Sequence, residues 1–73
     1  MINTNLLCEN IATARKKLGL TQNQLAKALG VSAQAVSKWE RGISCPDIAL
    51  LDEIANTLQI SLSVLLGIPH NET

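Results

Sequence analysis

At 73 residues the chain has room for one domain with a core of modest size. Its hydrophobic fraction is 47%, with one Trp and no Phe or Tyr, so that core must be aliphatic and rich in Leu and Ile. Formal net charge is zero, which taken alone argues against a nucleic-acid partner. No apolar run approaches the roughly 20 residues of a membrane span. The opening MINTNLLCEN lacks the basic region and long apolar core of a signal peptide, so a cytoplasmic protein is the expectation. Small domains of this composition are best served by helices packed through short connections.

In chain order, a first helix is predicted over residues 6–18, where Leu7, Ile11, Ala14 and Leu18 form one apolar stripe and Gly19 ends the run. Arg15 lies beside that stripe, where a charge is costly unless paired, and it reads as half of an ion pair or as a phosphate contact. Lys16 and Lys17 extend a solvated face.

Thr21 is a good N-cap, and Gln24 three residues later completes a capping box, which predicts a second helix over 22–29. Leu25, Ala28 and Leu29 fall on its inner side, with Gln22, Asn23 and Lys27 outside. Gly30 supplies a left-handed stop, and Ser32 caps a third helix over 33–40 after the single residue Val31. Helices joined so closely must cross steeply, and Ala26 is the small residue at the crossing. Val36 and Trp39 give the third helix an apolar side, while Ala33, Gln34, Ser37 and Lys38 fall on the other.

Residues 42–46 form a loop with Ile43 tucked beneath it, and Pro46 and Asp47 open a fourth helix over 47–58. Leu50, Leu51, Ile54, Ala55 and Leu58 supply its apolar face. Ser61 caps a short fifth helix over 62–66, Gly67 stops it, and 68–73 is a tail whose last residues, 70–73, are frayed. There are no internal repeats, low-complexity tracts or linkers that divide the chain. Cys8 falls on the first helix and Cys45 in the loop before the fourth. Neither belongs to a C-x-x-C pair, and both read as reduced structural thiols.

The distribution of charge reverses the impression left by its sum. All six basic residues (Arg15, Lys16, Lys17, Lys27, Lys38, Arg41) lie between positions 15 and 41, where the only acid is Glu40. From Gly42 onward there are four acids, Asp47, Asp52, Glu53 and Glu72, and no Lys or Arg. A neutral total can thus hide a molecule that is basic at one end.

The ordered set L-G-L-T-Q (18–22), Leu25-Ala26, Leu29-Gly30-Val31-Ser32, Val36 and Trp39-Glu40-Arg41-Gly42 resembles the lambda-repressor and Cro-like helix-turn-helix proteins, the Xre type. The likeness continues through Pro46, Leu50, Ile54-Ala55, Leu58 and S-x-x-x-L-L-G (61–67), covering roughly residues 6 to 67. It implies an all-α, five-helix domain with the helix-turn-helix at helices two and three. It also implies that Arg15 pairs with Glu40, bracing the first helix against the third, and that Gln22 holds a phosphate. Several members of the family carry a longer polar residue where this chain has Ala33.

On this reading residues 33–40 enter the major groove of double-stranded DNA as the recognition helix. Gln34 can pair bidentately with adenine, Lys38 can reach a guanine acceptor or a phosphate, and Ala33 offers a methyl to a thymine methyl. Ser37 reads as a base contact or a solvated hydroxyl. Gln22, Ser32, Lys27 and Arg41 are the candidate phosphate contacts. Trp39 reads mainly as a packing residue, with its indole N–H as a second candidate donor to phosphate.

Catalysis finds no support. His70, the only histidine, has no nucleophile placed near it by any motif, and no Gly-rich loop or metal-ligand spacing occurs, so no cofactor or metal is expected. The leading function is a sequence-specific transcriptional regulator, a repressor acting as a homodimer on two half-sites. The expected seam is the apolar C-terminal segment, with Leu62, Leu65, Leu66 and Ile68. The alternatives are a protein-interaction module that uses the same fold without reading DNA, and the DNA-binding part of a longer regulator.

Overall fold

The structure, a computed structural model, describes residues 4–68. The sequence readings on His70 and Glu72, and on a frayed end, lie outside the described residues. Five helices follow in order: α1 (Thr4–Lys17), α2 (Gln22–Leu29), α3 (Ala33–Glu40), α4 (Leu51–Leu58) and α5 (Leu62–Leu66). A single 3₁₀ turn, Ile48–Leu50, leads into α4. There is no strand among the described residues, and no helix there is long and apolar enough to cross a membrane.

Local chemistry explains most boundaries. The Thr21 hydroxyl accepts from the Gln24 backbone N–H, and the Gln24 side chain accepts in turn from the Thr21 N–H, a complete capping box. Gly30, with φ +72°, donates its N–H to Ala26 and Lys27 carbonyls and ends α2. Ser32 and Ser61 cap α3 and α5 by accepting from Ala35 and Val64.

Leu7, Ile11, Ala14, Leu25, Leu29, Val36, Trp39, Leu51, Ile54, Leu58 and Leu65 meet in one core that all five helices share. Ala26 is buried at the α2–α3 crossing, as its size requires. The Asn10 amide ties α5 to α1 by donating to the Val64 and Leu65 carbonyls at 3.0 and 3.1 Å. These bonds matter because a helix of five residues has little stability of its own.

Several expectations need correction. Helix α1 begins at Thr4 and ends at Lys17, so Leu18 lies past its end and is exposed rather than closing the stripe. Ala28 is exposed, and the inner face of α2 is Leu25, Ala26 and Leu29. The fourth helix starts at Leu51, not 47. Asp47 caps the preceding turn instead, because the i→i+3 bond from Leu50 N–H to its carbonyl (2.8 Å) winds the chain too tightly for an α-helix. Ile43 is not tucked under its loop but is 61% exposed, since the Ile43 and Ser44 N–H groups both fold onto the Lys38 carbonyl and turn the side chain outward. Leu65 and Leu66 are buried in the core and are unavailable as a seam, which leaves Leu62, Val64 and Ile68 exposed in that segment.

Candidate nucleic-acid interface

Helix α3 is held by a brace that begins on α1. Arg15 Nε donates to Glu40 Oε2 at 2.6 Å and Nη2 to Oε1 at 2.9 Å, a bidentate pair whose side chains are only 11% and 7% exposed. The third guanidinium nitrogen donates to the Leu20 carbonyl at 2.7 Å, fixing the connection before α2. Gln22 completes the group by donating from Nε2 to Glu40 Oε1 at 3.0 Å. Three helices are therefore joined at one carboxylate. Burial alone would push the Glu40 carboxyl up. Hydrogen bonds from Arg15 and Gln22, with the positive charges of Arg15 and Lys16, hold it below the usual carboxylate range. Arg15 is correspondingly raised by its bond to Glu40.

The brace engages the charge of Arg15 within the fold, in the ion pair that is one of its two sequence readings. Lys16, Lys17, Lys27, Lys38 and Arg41 all reach solvent. Gln34 and Lys38 are exposed one turn apart on α3, while Val36 and Trp39 on the opposite side are buried. Trp39 is thus a packing residue. Ala33 is half-buried against the core, yet it still lines an open groove with Arg15, Leu20, Thr21, Gln22 and Asn23. Ser37 is half-buried, and its hydroxyl accepts from Arg41 Nε at 3.2 Å, so the two side chains form one unit at the end of α3. Ser32 and Lys27 are exposed at the start of α3 and the end of α2.

Two features were missed by reading the sequence. Gln22 is partly drawn inward by Glu40, 18 positions away, and no local pattern signals such a contact. Its amide nitrogen keeps a second hydrogen for an outside acceptor. Asn23 shares the groove, and its place at the second position of α2 is the signal that could have revealed it. The N–H groups of Gln22 and Asn23 have no intrahelical carbonyl, and they sit at the positive end of the α2 dipole. The arrangement presents amide, hydroxyl and cationic donors on one side, the chemistry that phosphates and base edges accept.

The model of the helix-turn-helix family matches residues 11–65. The chain belongs to the helix-turn-helix family. Repressor protein C2 of Salmonella phage P22 is 42% identical over 65 residues, which is 89% of this chain and 30% of that protein. The transcriptional regulator DicA of Escherichia coli is 45% identical over 58 residues, 80% of this chain and 43% of the regulator. Among solved structures, that of the P22 c2 repressor in complex with a synthetic operator superposes with a TM-score of 0.77 at 40% identity, covering 82% of this chain and 91% of that one. This helix-turn-helix chain therefore spans less than half the length of either curated relative. Its fold class and family agree with those implied by the resemblance.

Proposed function

We propose that the protein is a sequence-specific double-stranded DNA-binding regulator of transcription, a repressor, that reads base edges with α3 in the major groove. The observation that carries this reading is the brace: Glu40 is gripped by Arg15 and Gln22 while Gln34 and Lys38, on the same helix, are left facing solvent. A helix fixed to α1 and α2 with its polar side unfilled is preorganised for an external partner. The operator-bound P22 repressor, similar in fold and 40% identical, supports DNA as that partner over a protein-interaction module.

In this reading Gln34, Lys38, Ala33 and Ser37 face base edges, and Gln22, Ser32, Lys27 and Arg41 contact phosphates. Ser32 and Gln22 are suited to the task because each keeps a donor after its internal bond is made. The protein acts in the cytoplasm, on the nucleoid when bound, and as the DNA-binding part of a longer regulator where such a chain exists. Selection of bound duplexes from a random pool tests the central claim. Recovery of one half-site supports it, and an unenriched pool refutes sequence reading.

Two-fold pairing of recognition helices about 34–36 Å apart would give the selectivity that one helix lacks. The exposed Leu62, Val64 and Ile68 are the seam residues that remain after Leu65 and Leu66 are assigned to the core. Sedimentation equilibrium of the wild type and of Val64→Glu, 56% exposed and therefore tolerant of the change, checks the dimer. A wild type monomeric at tens of micromolar, alone and on operator DNA, would sink it.

A further inference from the structure

Arg41 closes α3, and its side chain turns back along the helix. Its Nε donates to the Ser37 hydroxyl oxygen at 3.2 Å and shares the same hydrogen with the Ser37 carbonyl at 3.4 Å. The Arg41 backbone N–H donates to that carbonyl as well, at 3.1 Å. Residues four apart are neighbours on a helix surface, so a short serine is enough to meet a long arginine there. No carboxylate competes for this guanidinium. Among the described residues the ion pair is that of Arg15 with Glu40, and neither Nη of Arg41 has a hydrogen-bond partner. Gly42 follows with φ +74°, and the Ile43 and Ser44 N–H groups fold onto the Lys38 carbonyl. The chain thus leaves α3 without covering Arg41, which stays exposed.

We propose that Ser37 is a positioning residue: it fixes the Arg41 guanidinium for a phosphate of bound DNA instead of touching a base itself. This rests on the DNA-binding reading above and reassigns Ser37 within it. A planar guanidinium offers two forks, one along Nε and one Nη, the other across both Nη nitrogens. Ser37 occupies the first by accepting from Nε, which leaves the second to meet two oxygens of one phosphate. An arginine without such a partner gives up its side-chain freedom at the moment of binding, whereas the bond to Ser37 removes part of that freedom beforehand. Ser37 is half-buried and flanked on α3 by the exposed Gln34 and Lys38, whose longer side chains stand nearer to a base edge.

A positioning serine and a base-reading serine differ in what their loss does. Phosphates are the same in every sequence, so removing a hydroxyl that acts through Arg41 weakens all duplexes by one factor. A hydroxyl that touched a base edge would instead matter at one base-pair position. Acting through Arg41 also means that the hydroxyl has nothing left to do once Arg41 is gone. One such hydrogen bond corresponds to roughly 2–10-fold in affinity.

The test titrates the 73-residue chain and its variants with a duplex enriched from the random pool and with an unrelated duplex, well below each melting temperature. Ser37→Ala should bind both about 2–10-fold more weakly, and Ser37→Thr, which keeps the hydroxyl, should bind as the wild type does. In an Arg41→Ala background, Ser37→Ala should lose nothing further. Arg41→Ala should lower the salt slope by about 0.9, the share of one phosphate contact. Nitrogen-15 relaxation of Arg41 Nε in the free protein supplies a readout without DNA, and Ser37→Ala should make that nitrogen more mobile. Four results would each overturn the proposal: loss at one base-pair position only, additive losses in the double variant, a salt slope unchanged in Arg41→Ala, or an Arg41 Nε as mobile in the wild type as in Ser37→Ala. A wild type that binds no duplex at low salt refutes the DNA-binding reading itself, and with it the role of Ser37, before any variant is compared.

Discussion

Removing one end of the Arg15–Glu40 pair should be the most damaging single polar change in this protein. In Arg15→Met, Glu40 loses two charge-assisted hydrogen bonds and keeps only the Gln22 amide, with its carboxylate 7% exposed. The Leu20 carbonyl loses its donor as well. An ion left without its partner in such a site costs roughly 3–5 kcal/mol, because desolvation is no longer offset by attraction. For a domain of this size the whole folding free energy is only about 4–11 kcal/mol, so the variant should be close to half-unfolded or lose roughly 15–30 °C of thermal stability. Glu40→Gln should lose a similar amount, leaving a buried guanidinium facing an amide. Arg15→Met with Glu40→Gln should lose much less than the two single changes added together, since neither charge then needs solvation. Urea unfolding of the four proteins gives the coupling energy directly as a double-mutant cycle. If both single variants unfold within about 1 kcal/mol of the wild type, the pair is solvated in practice and the reasoning from its burial fails.

Gln34→Ala should reduce discrimination at one base-pair position by about 1–3 kcal/mol and leave non-specific binding nearly intact, measured by competition between single-substituted operators. Equal loss on every duplex would place Gln34 on the backbone instead. Because the folded-state pKa of Glu40 is depressed, its contribution is complete above the ordinary carboxylate range and is lost as the pH falls through the lowered value. Urea midpoints should therefore drop on acidification in the wild type and show a shallower drop in Glu40→Gln. Gln59 closes α4 in the left-handed region at φ +61°, where a side chain is strained, so Gln59→Gly should raise stability by about 0.5–1 kcal/mol in thermal unfolding. A fall instead would mean that the glutamine side chain contributes more than the backbone strain costs.

What the sequence by itself determined was the local grammar of the domain. Caps act within three or four residues, so Thr21 with Gln24, Ser32 and Ser61 could be read as helix starts, and Gly30 and Gly67 as stops, without knowing what lay opposite them. The same range covers the apolar sides of α3 and α4, where a 3.6-residue period sorts Val36, Trp39, Ile54 and Leu58 inward. The Arg15–Glu40 pair was expected from family resemblance, since a separation of 25 positions leaves no periodic trace of it.

Only the tertiary structure decided which apolar residues have partners. Leu18, Ala28 and Ile43 are placed inward by local reading, yet each ends up exposed in the folded chain. Of the apolar residues from Ile60 to Ile68, α5 turns Leu65 and Leu66 inward, and the clamp from Asn10 fixes that choice from 54 and 55 positions away. Gln22 follows the same rule. Hydrogen bonds and packing between distant segments depend on where the chain has carried each side chain, and that depends on every other helix at once. Capping and periodicity are short-ranged and can be read along the chain, whereas the Gln22–Glu40 bond exists only once α1, α2 and α3 have closed on one core.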